Sequence, residues 1–207
     1  MSDSIKKYLD SVKVICPKVT HLELSYLEKG LTVSTFKTKQ FYIQANKVQE
    51  SVGFVAKGLL RSYYVNDEGK EITVRFIAEN DFATNYVAFI ALEPSRFYIQ
   101  CIEPCEIVNI PYLHMQDSYS KFYLLERYGR LIAEEVLKQH QKRIESFLFQ
   151  NAEDRYLDFI KTFPNIHDRV SLSYLSTYLG IVRQSLTRIR KKISQNKNNT
   201  FVSGENF

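Results

Sequence analysis

Apolar positions change their spacing twice along the chain, and each change marks a part of the molecule. From Ser4 to Ser25, Ile5, Tyr8, Leu9, Val12 and Ile15 recur at three and four, which predicts a helix with a break near Pro17. Between about Leu31 and Ile110 the pattern turns to short β-branched and aromatic runs, among them Leu31–Phe36, Phe41–Ile43, Gly53–Ala56 and Leu59–Val65. Asn66-Asp67-Glu68-Gly69-Lys70 separates Tyr63-Tyr64-Val65 from Ile72-Thr73-Val74 as a hairpin loop. Strands at this spacing predict an antiparallel barrel, roll or sandwich.

From Gln116 the helical period returns and holds to about residue 150. Leu125, Gly129, Ile132, Val136, His140, Ile144 and Phe147 fall on one stripe, and at ~1.5 Å per residue the helix would reach ~50 Å. One small roll cannot cover that length. A second copy of the helix is the economical partner, with Leu125, Ile132, Val136, Ile144 and Phe147 as the dimer seam. Asn151-Ala-Glu-Asp154 then reads as an Asx cap with acids in a first turn, so a hinge falls near residues 149–151.

Residues 151–193 read as three helices. The first holds Tyr156, Leu157, Phe159 and Ile160; Ser171 caps the second, Leu172–Tyr178; Gly180 turns the chain; the third starts near Val182 and carries Leu186, Ile189 and Ile193. The chain thus divides into an α+β sensing region (1–115), a dimerisation helix (116–150) and a C-terminal head (151–207).

Charge sharpens this division. The net charge is only +5, but residues 1–150 carry 19 bases against 18 acids and residues 151–207 carry 9 against 5. Arg183–Lys192 holds five bases and no acid. Two helices joined at Gly180, the second exposing Arg183, Gln184, Ser185, Thr187, Arg188, Lys191 and Lys192, form a helix-turn-helix pattern. Leu175, Leu179, Leu186 and Ile189 supply its packing. Arg183 and Gln184 sit in the first turn of the second helix, the end that enters a major groove, where Arg pairs with guanine and Gln with adenine; Arg188 follows on a neighbouring part of the face. Ser171 and Ser185 lie at helix starts, where hydroxyls and backbone N–H groups meet phosphates, and Lys191 and Lys192 extend the positive face.

These residues give the chain a resemblance to the Crp/Fnr transcription regulators. It covers the strands, the Asp67-Glu68-Gly69-Lys70-Glu71 hairpin, the Asn80-Asp81-Phe82 turn, the long helix and Leu179-Gly-Ile-Val-Arg-Gln-Ser-Leu-Thr-Arg-Ile-Arg-Lys-Lys192. The resemblance implies a cupin-like β-roll (double-stranded β-helix), a dimerisation helix and a winged helix-turn-helix. It also implies a homodimer reading a pseudo-palindromic duplex through Arg183, Gln184 and Arg188, with phosphate contacts at Ser171 and Ser185 and RNA polymerase as a further partner. Only Ile193–Phe207, polar and Asn-rich, remains for the wing, so a shortened or frayed one is expected.

The family's cyclic-nucleotide binders carry a Gly-Glu pair and, some ten residues on, Arg-Ser or Arg-Thr. Here Thr84-Asn85 stands for Gly-Glu, Ser95 falls at the arginine position and Arg96 lies beside it. The missing glycine and acid favour a roll that binds something else, or nothing, over cyclic AMP. His140 and Gln141 match the family's base-contacting positions on the long helix. Thr84, Asn85, Ser95, Arg96, His140 and Gln141 are therefore the candidate effector residues.

Other classes fall away. Cys16, Cys101 and Cys105 include no C-x-x-C pair, which supports neither a disulfide framework nor a thiolate metal site. A haem role for His114 or His140 has no support beyond the residue itself. Residues 22–113 contain no histidine, against a metal-dependent cupin enzyme, and no Gly-x-Ser-x-Gly supports a hydrolase. Neither signal peptide nor long apolar span is visible, so a cytoplasmic location without membrane partner is expected. The rival reading is a ligand-binding roll or scaffold without DNA binding, which predicts no basic face.

Overall fold

The structure is a computed structural model and describes residues 2–202, with side chains described to residue 195. The N-terminal helical segment divides at the predicted break near Pro17 into two helices, α1 (Asp3–Ile15) and α2 (His21–Lys29). Pro17 ends the first, and a capping box at Thr20 and Glu23 starts the second. Eight strands follow: β1 (Thr32–Phe36), β2 (Phe41–Ile43), β3 (Ser51–Lys57), β4 (Leu60–Val65), β5 (Glu71–Ile77), β6 (Phe82–Ala83), β7 (Tyr98–Cys101) and β8 (Cys105–Pro111), with α3 (Tyr86–Ala91) before β7. They form two antiparallel four-stranded sheets, ordered β1-β8-β3-β6 and β2-β7-β4-β5.

Alternation along β3 and β8 makes the first sheet two-faced. Val55 and Ile107 point inward and pack with Leu60, Ile77 and Ile99 of the second sheet. Val52, Phe54, Val108 and Ile110 point outward and are covered by Tyr8, Leu9 and Val12 of α1 and by later helices.

Two helices stand where one long helix is predicted. The first, α4 (Tyr112–Lys121), ends at Phe122, whose backbone is extended (φ −133°, ψ 109°), and α5 (Tyr123–Phe149) begins beyond it. Phe122 packs against the roll's outer core, and that contact overrides the continuous period. The predicted seam is also divided. Leu125 is only 1% exposed and Ile132 packs with it against the chain's own roll, so neither faces a partner.

The C-terminal head comprises α6 (Ala152–Thr162), α7 (Leu172–Leu179) and α8 (Arg183–Val202). Asn151 caps α6 by accepting from the Glu153 and Asp154 N–H groups, and Ser171 caps α7. Gly180 takes the left-handed conformation (φ +68°) that closes α7; a Cβ there would meet the Phe147 ring at 2.8 Å. The expected wing does not appear among the described residues, because α8 continues to Val202. From Ile193 to Phe201 no glycine or proline interrupts the helix, and residues 203–207 lie outside the described residues.

Candidate functional site

Leu175, Leu179 and Leu186 are buried and, with Ile189 against them, clamp α7 to α8. This packing turns the opposite side of α8 to solvent. Arg183, Gln184, Arg188 and Lys191 are exposed there, and among the described residues none of them forms an ion pair. Lys192 differs, since its ammonium pairs with Glu153 of α6 at 2.7 Å. Ser185 is half-buried, and the Ser171 hydroxyl is already engaged by the Tyr174 N–H. A patch of free guanidinium, carboxamide and ammonium groups at a helix start suits polyanion contact.

The head is fastened to the second sheet. Thr177 Oγ1 accepts from the Thr73 N–H at 3.2 Å. Arg61, buried at the base of β4, lies between the rings of Tyr63 and Tyr174, 4.1 and 3.8 Å from their centroids, and pairs with Glu71. Arg169, in the α6–α7 loop, donates to both oxygens of Glu79 (2.9 and 3.0 Å) and to both of Glu103 (2.6 and 3.0 Å), bridging two turns of the roll. Burial pushes the Glu79 carboxyl up; the Arg169 hydrogen bonds, the Gly58 N–H and the guanidinium charge outweigh it, leaving the group at about 2. On α5, Arg143 donates to the Tyr178 carbonyl and stacks on Phe147 and Tyr178.

Three of the six candidate effector residues come together. Asn85 Nδ2 donates to Ser95 Oγ at 3.1 Å, and Ser95 Oγ donates to the Phe97 carbonyl. Thr84 Oγ1 and the Asn85 N–H donate to Gln49 Oε1 at 3.0 and 3.3 Å. The Gln49 carboxamide thus occupies donors that an incoming anion would need. Inside the roll, the Tyr42 ring lies over Gly53, and its hydroxyl donates to Asn109 Oδ1 at 3.1 Å. Arg96 is exposed and outside this network. His140 and Gln141 lie on exposed α5; burial and nearby Arg75 hold the His140 imidazole below its usual range, and Gln141 donates to Glu145. Neither joins the Thr84 cluster by any hydrogen bond among the described residues.

Gln49, Tyr42, Arg61 and Arg169 escape sequence reasoning because each acts through partners far along the chain. The Asp67–Lys70 hairpin flanked by tyrosines was a signal for the β4–β5 surface, but nothing local marked it as the seat of the head.

Residues 33–121 match the model of the cyclic nucleotide-binding domain. No curated protein matches the chain by sequence. Among solved structures, FixK2 from Bradyrhizobium japonicum superposes with a TM-score of 0.70 at 14% identity, over 81% of this chain and 86% of that one. The c-di-GMP responsive global regulator CLP of Xanthomonas campestris gives 0.66 at 15% identity, over 86% and 93%. A CooA mutant from Carboxydothermus hydrogenoformans gives 0.64 at 17%, over 86% and 80%. At such identities the likeness is one of fold. Among the described residues no helix is long and apolar enough to cross a membrane, and no cluster of histidine, cysteine and carboxylate side chains could hold a metal.

Proposed function

We propose that the chain is a homodimeric, sequence-specific DNA-binding transcription regulator of the Crp/Fnr type and not an enzyme. The observation that carries this reading is the exposed, unpaired Arg183–Gln184–Arg188–Lys191 face on α8, held by a packed helix, glycine turn and helix. A scaffold without DNA binding has no use for such a face. Arg183, Gln184 and Arg188 read base edges, while Lys191, Ser171 and Ser185 contribute to phosphate contact; Lys192 does so only by releasing Glu153.

The dimer forms along the distal half of α5. Leu137 and Ile144 are 69% and 55% exposed and seven residues apart, with Ala133 and His140 on the same stripe. Val136 is half-buried beside it, and Phe147 leans on Gly180, so the seam is narrower and shifted from the one the spacing predicts. An effector bound near the roll would act by shifting α5 and the 149–151 hinge between arrangements. A cyclic nucleotide has to displace Gln49 from Thr84 and Asn85, which weighs against cyclic AMP. RNA polymerase is the further partner such a regulator requires.

Selection of bound duplexes from a random pool tests the reading. The expected product is an inverted repeat with half-site centres about one helical turn apart. Recovery of no repeat overturns it.

A further inference from the structure

A cavity of about 220 Å³ lies outside the roll, between the outer face of the first sheet and helices α1, α3, α4 and α5. The rings of Tyr8, Phe82, Phe89, Tyr119 and Tyr128 contribute to its wall. It is separate from the Gln49–Thr84–Ser95 network in all but Thr84, and the roll's interior lies on the far side of the sheet. A dry apolar cavity of roughly 150 Å³ already accepts benzene, so this space suits one ring with a short substituent.

The Tyr128 hydroxyl is buried beside the Tyr8 and Ser11 hydroxyls, yet among the described residues it makes no hydrogen bond of good geometry. Native structures rarely leave such a group unpaired, and in a cavity wall it is available to a ligand. Burial pushes the phenols of Tyr8, Tyr119 and Tyr128 upward, so each remains a neutral O–H donor at neutral pH. The charged groups of the wall, Glu126 and Arg130, are both exposed on α5 and not buried within it. Unpaired donor, aromatic wall and absence of a buried charge select for an uncharged molecule and against a phosphate or carboxylate.

We infer that this cavity is a binding site for an uncharged, ring-sized, largely apolar molecule bearing one hydrogen-bond acceptor, which the Tyr128 hydroxyl receives. Gly129 shapes the wall, since a Cβ there would lie 2.4 Å from the Tyr119 hydroxyl oxygen. Because Ala133 and Val136 of α5 line the same space, occupancy bears on the helix that leads to the head. The site does not depend on the chain's reading DNA.

The test is a fluorine NMR titration of the full-length protein with 4-fluorobenzyl alcohol and with 4-fluorotoluene, which lacks the acceptor. Saturable binding of the alcohol at one per chain is expected. Tyr128→Phe removes an atom that makes no well-formed hydrogen bond, and an unchanged circular dichroism spectrum checks that the variant folds; it weakens the alcohol by about tenfold, the size of one hydrogen bond, and leaves 4-fluorotoluene unchanged. Ala133→Leu fills the cavity and abolishes both. Failure of the wild-type protein to saturate with either probe at millimolar concentration overturns the site. Equal affinity of the alcohol for wild type and Tyr128→Phe overturns the role of the hydroxyl.

Discussion

Arg169 is the most informative residue to remove, because among the described residues no other side chain of the head hydrogen-bonds to two separate turns of the roll. Its guanidinium meets Glu79, just after β5, and Glu103, in the β7–β8 turn. Holding Glu79 at about 2 against an ordinary 4.5 corresponds to ~3 kcal/mol of preference for its charged form, of which the Arg169 hydrogen bonds supply the largest favourable share and the Gly58 and Glu79 N–H groups of the roll a further part. The side chains are 26–32% exposed, so solvent screening together with the roll's own N–H share leaves about 2 kcal/mol or less for Arg169. Arg169→Met should therefore raise amide exchange in α7 by up to roughly 30-fold at pH 7. The Thr73–Thr177 bond and the Arg61–Tyr174 stack remain, so the head loosens without detaching.

The pH dependence gives the sharper test. A carboxyl whose folded value lies below its unfolded one stabilises the docked form fully above the unfolded value and ceases to do so as pH falls through the folded one. Protection of α7, corrected for intrinsic exchange, should therefore decline between about pH 5 and pH 2 in the wild type. Glu79→Gln should flatten that decline. A slope that persists unchanged in Glu79→Gln, or α7 protection unaltered by Arg169→Met, refutes the clamp.

Arg183→Ala should lose ~1–3 kcal/mol on the selected duplex and relax one base position, whereas Lys191→Ala should weaken all duplexes alike and lower the salt slope by about one, both measured by fluorescence anisotropy. Leu137→Lys should shift the molecular mass by light scattering from dimer to monomer, while the helical circular dichroism stays intact; an unchanged dimer locates the seam elsewhere. Gln49→Leu strands the buried Thr84 hydroxyl and the Asn85 N–H and should cost ~2–3 kcal/mol in urea unfolding. Gly180→Ala forces a Cβ onto the Phe147 ring in a left-handed backbone and should cost ~1–2 kcal/mol, with a lowered melting temperature.

Period and turn chemistry are local properties, and what they determine was legible. The strand runs, the Asn66–Lys70 hairpin, the Asn151 and Ser171 caps and the Gly180 turn all depend on residues within a few positions of one another. The long apolar stripe shows where local reading stops. A helix whose first half packs on its own roll and whose second half leaves an apolar stripe bare displays one uninterrupted period, because both faces carry the same spacing. Leu125 and Ile132 serve the first surface and Phe147 the head, while Leu137, one position off the counted stripe, is left bare. The partition depends on where Phe122 breaks the helix and so rotates the following turns. The effector region fails for the same reason: the residue that fills the place between Thr84 and Asn85 is Gln49, more than thirty positions earlier. A motif match compares side chains in sequence, whereas an anion needs unoccupied donors. Here the donors are present but taken by the chain's own carboxamide, whereas the Tyr128 hydroxyl, a buried donor without a well-formed hydrogen bond, belongs to a different cavity. Ligand chemistry in this fold thus follows from which hydrogen bonds the protein has not already made.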